Sequence, residues 1–308
     1  GDEMLNISKV FRQKKKMKVK SQSFYKRIFF LTSLIISTSV VFSSDAKSFF
    51  PYIYEPNSKK LNETGLNIGK TAAQVLQLGQ FKEANRLAAL AVILEPNDDR
   101  VWSVLAETQL RTNQLNKAQE SLFRAKELNP QKASLWFAEG ALHIQQKDEK
   151  KAIDSIKSGL KIDPKNAGAY FQLGNARIME NNLTLALNSF QKASKLNSNF
   201  WEALNNEGIV LFEMGKTKDA IAIWRKVLRI NRNAETLLAL ATALNQIQPE
   251  NQRAFELAKE ALLKNPNYVL TKHQKEQLWG AKLQKASKKL LSNAELVSDV
   301  TRAQANID

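Results

Sequence analysis

The sequence predicts an all-α fold: a right-handed superhelical solenoid of antiparallel helix pairs, closed by a C-terminal capping helix. Three observations predict it. Alanine recurs at 84, 118, 152, 186, 220 and 254, a spacing of 34 held without drift. Two further registers, nearly all small residues, keep the same period: Ala72, Ala106, Gly140, Gly174, Gly208 and Thr242, then Ala91, Ala125, Gly159, Ala193, Val227 and Ala261. A large apolar residue opens each unit at Ile68, Trp102, Trp136, Tyr170, Leu204 and Leu238. Proline closes four of the six, at Pro96, Pro130, Pro164 and Pro266, with Ser198 and Arg232 in the other two.

Small residues on facing sides of two antiparallel helices let the backbones approach. The large residue fills the space where they splay, and proline stops the second helix because it lacks an amide hydrogen and clashes with the preceding turn. One such pair cannot bury its own apolar face, so neighbours stack and share a continuous core. The six units are 65–98, 99–132, 133–166, 167–200, 201–234 and 235–268. On these residues the chain resembles the tetratricopeptide repeat family, whose period and signature they follow.

Residues 1–46 read as a targeting segment. They carry nine Lys/Arg against three acidic residues, +6 of the chain's formal +16, which leaves +10 spread over the remainder. Lys18, Lys20, Lys26 and Arg27 precede Ile28 to Phe42, 15 residues of which ten are apolar, and Ser44-Asp45-Ala46 then offers a signal-peptidase site. A membrane anchor is the competing reading, although 15 helical residues span about 22 Å against a hydrocarbon core of about 30 Å. Met17 is a candidate start, with 1–16 an extension. The expected location is across a membrane, in a periplasm or thylakoid lumen, soluble after cleavage or anchored by the N-terminal segment. No Cys follows the apolar run, so a lipoprotein anchor is excluded. Residues 47–64 have no helical period and are expected to be a linker.

After the repeats, 269–291 places Trp279, Leu283, Ala286 and Leu290 on one helical face that can cover the last repeat. Residues 292–308 read as a polar tail, helical at most in part.

Catalytic residues are scarce. With no Cys and only His143 and His273, neither a zinc site nor a Ser/His/Asp arrangement is easily built, and no glycine loop fits a phosphate or dinucleotide. The expectation is no enzyme, no cofactor and no metal.

The resemblance implies that the first helix of each pair lines a concave groove that holds a protein or peptide. By register it assigns Arg100, Ser103, Glu107 and Arg111 in repeat two, Phe137 in repeat three, Phe171, Gln172 and Asn175 in repeat four, and Asn205, Asn206 and Phe212 in repeat five. The amides can donate to and accept from an extended backbone while the phenylalanines contact its side chains. The family's clamp for chaperone carboxylate tails is missing: Phe171, Thr236 and Leu240 stand where its cations would be. The implied function is a scaffold for partner proteins, with assembly or maintenance of a membrane complex as its setting. The net charge motivates the alternative of a basic repeat protein that binds nucleic acid or anionic lipid; nucleic acid is not the expected partner.

Overall fold

A computed structural model describes residues 58–307 of the chain. The leader-like residues 1–46 and most of the expected linker lie outside them. The described residues form twelve helices in six consecutive pairs and then a shorter C-terminal assembly. The pairs are α1 (Ser58–Gln77) with α2 (Phe81–Leu94), α3 (Asp99–Arg111) with α4 (Leu115–Leu128), and α5 (Ala133–Gln145) with α6 (Glu149–Ile162). They continue as α7 (Ala167–Met179) with α8 (Leu183–Leu196), α9 (Trp201–Glu213) with α10 (Thr217–Ile230), and α11 (Ala234–Ile247) with α12 (Gln252–Lys264).

The small-residue registers are the helix contacts. All six period-setting alanines are fully buried. Volume is exchanged across each pair: a Cβ added at Gly140 would lie 2.4 Å from Ile156, one at Gly174 2.4 Å from Phe190, and one at Gly208 2.4 Å from Trp224. Where the first helix has no Cβ, the second carries a large side chain in the space; where the first helix has Ala72 or Ala106, the second has Ala88 or Leu122 at the same register.

Turns repeat as regularly as contacts. The residue that ends each first helix in a left-handed conformation is Gly79, Asn113, Lys147, Asn181 and Gly215 in repeats one to five, the position where a helix is closed through carbonyls of its last turn. In repeat six the equivalent residue is Pro249, whose ring forbids positive φ, and the left-handed residue moves to Glu250 (φ 61°). The unit-opening tryptophans also fasten loops: Trp102 Nε1 donates to the Pro96 carbonyl at 2.8 Å and Trp136 Nε1 to that of Pro130 at 3.0 Å.

Two expectations change at the ends. Residues 58–64 are not linker but the opening turns of α1, with Leu61 half-buried. The C-terminal 269–291 is not one helix. A short 3-10 turn (Pro266–Val269) leads into α13 (Thr271–Glu276), the chain reverses through Leu278 at φ 64°, and α14 (Ala281–Leu291) follows. The polar tail then supplies a second 3-10 turn (Ala294–Leu296) and α15 (Val297–Ala305), which buries Leu296 and Ala303 and packs on α12 and the first 3-10 turn.

The first helices of successive pairs touch one another, α1 with α3, α3 with α5, α5 with α7 and α9 with α11, which makes them the inner row of the stack. Helix α14 does not continue the stack as a seventh first helix would, against the preceding second helix. It lies on the first helices α11 and α9, inside that inner row.

Candidate functional site

The inner row is the surface where the register puts partner contacts, and the structure divides the assigned residues into three groups. Arg100, Glu107 and Arg111 are exposed on α3. Arg100 is held by Asp98, Nε to Oδ1 at 2.8 Å, which keeps that carboxyl below its ordinary range. Arg111 lies over the Phe81 ring at 4.7 Å. Ser103 is half-buried and donates to the carbonyl of Asp99.

The second group is core, and its assignment to the groove is corrected. Phe137 is buried against Gly159 of its own repeat, where an added Cβ would come within 2.4 Å of the ring. Phe212 is fully buried and meets the Trp224 ring at 6.1 Å. Phe137 takes the space that Gly159 leaves on the second helix, and Phe212 packs on the Trp224 ring.

The third group holds itself together. Asn206 Nδ2 donates to Asn175 Oδ1 at 3.0 Å, Asn205 Nδ2 approaches Asn206 Oδ1 at 3.5 Å, and Thr236 Oγ1 donates to Asn205 Oδ1 at 2.8 Å. This chain joins α7, α9 and α11. Asn205 and Asn206 are buried, so the amides expected to hold a peptide backbone are largely occupied by each other, as buried polar groups must be. Phe171 is half-buried between the rings of Phe190 and Phe200, with centroids at 5.9 and 5.1 Å. Gln172 is half-buried, its Oε1 without a hydrogen-bond partner.

The C-terminal segment covers repeats five and six of the row. Trp279, Leu283 and Leu290 are buried. The Glu213 carboxylate accepts from the backbone amides of Leu283 at 2.8 Å and Lys282 at 3.2 Å, and Lys282 Nζ donates back to the Glu213 carbonyl at 2.6 Å. Here an acidic side chain satisfies free amides at the positive end of α14. Glycine at 280 leaves room for this carboxylate, since a Cβ there would lie 2.2 Å from the Glu213 carboxyl carbon and push the side chain aside. Trp279 Nε1 donates to Glu235 Oε1 at 3.0 Å. Burial pushes the Glu235 carboxyl up to about 7, against the lowering effect of its bonds from Trp279 and Asn205.

Where this segment meets repeat four a cavity of about 290 Å³ remains, lined by Phe171, Asn175, Trp201, Glu202, Asn205, Asn206, Glu235 and the reversal Glu276–Leu278. Trp201, Glu202, Glu235 and Glu276 are not assigned by the sequence; Glu202 shares the register of Arg100, whereas Trp201 and Glu235 open their helices and Glu276 belongs to the cap. His143 is buried, its Nδ1 2.9 Å from Gln146 Oε1. Among the described residues no group of His, Asp and Glu is placed to hold a metal, and no helix is long and apolar enough to cross a membrane.

The fold and its inner row define an α-solenoid of stacked helix pairs. Comparison with known proteins gives the family: models described as tetratricopeptide repeat match residues 75–138 and 133–166. Residues 75–166 are thus tetratricopeptide repeats, and the same helix-pair pattern continues through the later repeats. No curated protein sequence matches it. Among solved structures it is similar to Pseudomonas aeruginosa PilF, at 16% identity and a TM-score of 0.58 over 74% of this chain and 99% of that one. It is also similar to the thermophilic repeat protein TTC0263 of Thermus thermophilus, at 20% identity and 0.52 over 58% and 98%. The Cut9–Hcn1 assembly of APC/C resembles it at 16% identity and 0.58, over 80% of this chain and 45% of that one. At such identities the likeness concerns the fold.

Proposed function

We propose that the protein is a non-catalytic scaffold whose inner row, over repeats one to four, holds a segment of a partner protein. The repeats and their structural neighbours support protein interaction in general. The observation that carries the finer reading is the seat of α14. The inner row of repeats five and six already takes up a helix, burying its apolar stripe and binding its amide end through Glu213. The same row over repeats one to four carries no such cover among the described residues, and presents Arg100, Glu107 and Arg111 to solvent. The basic residues and apolar run before the array support export or membrane tethering, and with them a role in assembling or maintaining a membrane complex.

A photo-crosslinking residue at Glu107 or Ala141 on the inner row should give a discrete protein adduct in native membranes, while one at Glu120 on the outer side should give none. Adducts from Glu120 with none from the inner sites would overturn the reading. Amino-terminal sequencing of native material checks the export component: a start near Lys47 supports cleavage, an intact leader supports tethering, and recovery from the cytosol removes both.

A further inference from the structure

The second helices form the outer row, and their buried residues leave one face outward. Counted from the period-setting alanine, positions zero, one, three, four and seven turn inward, so at 100° per residue the positions two, five, six and nine point away from the stack. In α6, α8 and α10 those outward positions hold seven cations, Lys157, Lys161, Lys192, Lys195, Arg225, Lys226 and Arg229, and one carboxylate, Asp154. All seven cations are exposed. None takes part in a salt bridge among the described residues. Repeat geometry aligns them: Lys161, Lys195 and Arg229 occupy one position on successive helices, and Lys192 and Lys226 another.

The same outward positions in the flanking repeats are mixed: Glu127, Glu256 and Glu260 are paired with Arg124, Arg253 and Arg232, Glu120, Arg86 and Lys259 are also charged, and the large side chains among the rest are apolar. Ile93 is 75% exposed, Phe123 65% and Leu263 65%, with Leu90 also exposed beside Ile93. Phe123 precedes Lys157 at one position; at another Leu263 follows Arg229, and Ile93 stands two repeats before Lys161 with Glu127, paired to Arg124, between them. Solvated cations alone would need no apolar neighbours, and a nucleic acid read through its phosphates gives Ile93 and Leu263 nothing to bury against. At the outward positions of the six second helices Phe123 is the one aromatic ring, so successive bases would have no series of rings to stack on. A lipid surface accommodates both classes of side chain at once, phosphates meeting the cations and the headgroup boundary taking the apolar ends.

We infer that the outer row of this protein docks on an anionic lipid surface, with the Lys161, Lys195 and Arg229 ladder on lipid phosphates and Phe123, Ile93 and Leu263 entering the interface. This contact is on the side of the array opposite the inner row, so a membrane and a partner protein can be held together.

The test is vesicle co-sedimentation of the full chain, in phosphatidylcholine alone and with about a third phosphatidylglycerol, beside binding of labelled single-stranded and duplex oligonucleotides. Lys161→Glu/Lys195→Glu/Arg229→Glu is compared with Lys285→Glu/Lys288→Glu/Lys289→Glu, which changes net charge equally at exposed cap positions. Residues 1–57 are the same in every protein, so their own lipid binding cancels. The ladder variant should lose roughly a hundredfold of the phosphatidylglycerol-dependent affinity, since each cation near an anionic surface contributes a factor of about five. The cap variant should stay within about twofold. Ile93→Ser/Phe123→Ser should weaken the binding that persists in high salt. Equal losses in the two charge variants, an unaffected ladder variant, or loss of oligonucleotide binding with vesicle binding intact would each overturn the inference. Unchanged helical circular dichroism in all variants confirms that the fold is not what moved.

Discussion

The first three repeats and the last three are built on one pattern but packed differently. Repeats one to three divide their buried apolar residues among three small clusters, one around Ala88 and Leu105, one around Leu122 and Leu135, and one around Ile153 and Ile156. The third of these also takes in Ala169, Leu173 and Ala176 of α7, and from the second helix of repeat four onward a single core runs from Ala186 and Phe190 through Trp224 and Phe255 to Trp279, Leu290 and Ala303 in the cap. The difference follows from side-chain size at one register. Ala88, Leu122 and Ile156 occupy it in the first three repeats, whereas Phe190 and Trp224 occupy it in the next two, each meeting a ring of its own pair, Phe171 and Phe212, and adding to the buried volume there. Stability in a repeat array is a sum of units and interfaces, so larger shared interfaces make the second half the more cooperative body. The half with the continuous core has its inner row covered, and the half with separate clusters has it open. On the proposed function, partner exchange falls on the part of the molecule with the lower cost of local opening.

The strongest way to break that contrast is Trp224→Ala. Removing a fully buried ring that fills the space over Gly208 should cost about 3–5 kcal/mol. Amide exchange should accelerate together across repeats four to six and the cap, with repeats one and two little changed. Uniform acceleration through the whole array would show that the two halves are one cooperative unit. Next in size is Gly174→Ala, whose new Cβ would meet the Phe190 ring; overpacking of this kind costs about 1–3 kcal/mol. Phe190→Leu in the same chain should recover part of the loss, whereas Ala186→Phe, at another fully buried contact, should have no such rescue.

Much of this architecture is legible in the sequence. The 34-residue registers define the helix pairs because a strict period leaves no other way to pack alanine and glycine on facing sides. Volume exchange between positions 16 apart, Gly174 with Phe190 and Gly208 with Trp224, is visible once the period is known. The site is less legible, for definite reasons. Register names the helix face but not how far neighbouring first helices approach, so Asn175 and Asn206 read as free amides although they are close enough to bond each other. Phe137 turns inward because Gly159 leaves a place for it, and Phe212 because the Trp224 ring offers a packing partner, pairwise matters that a position rule does not contain. The apolar stripe from Trp279 to Leu290 says that α14 buries one face. It does not say against which surface, and the decisive residues, Glu213, Glu235 and Gly280, are single residues from three separate elements.

A smaller effect should follow pH. Glu235 ionises in the unfolded chain near its ordinary value of 4.5 and in the folded protein at about 7, because burial disfavours its charge. The folded state therefore holds the proton more tightly between these values. Stability is greatest below the unfolded value, falls as pH rises toward 7, and levels off above it. For a half-buried group the loss should be about 1–2 kcal/mol, read as a falling melting temperature. Glu207, also pushed up by burial, adds to the same slope, so Glu235→Gln should reduce the pH dependence without removing it. The melting change should concentrate in repeats five and six and the cap, where Trp279 sits on Glu235. A variant with the full wild-type slope would place the titrating group elsewhere.

The smallest effect tests the cap's attachment most directly. Glu213→Gln keeps the size of the side chain and one acceptor oxygen, but only one of the two bonds to the amides of Leu283 and Lys282 can survive, and the negative charge at the start of α14 is lost. A capping bond and a charge at a helix end are each worth about 0.5–1 kcal/mol, so the substitution should lower stability by roughly 1 kcal/mol. The consequence should be local: the amides of Lys282 and Leu283 should exchange faster, and a photo-crosslinking residue placed at Phe171, at the edge of the covered row, should gain adducts as α14 lifts. Gly280→Ala should do the same for a steric reason, since its Cβ would displace the Glu213 carboxylate itself. Because both changes leave the repeat core untouched, they separate attachment of the cap from integrity of the array. If neither alters exchange at 282 and 283, Trp279, Leu283 and Leu290 hold α14 on their own, and the carboxylate only sets where the helix begins.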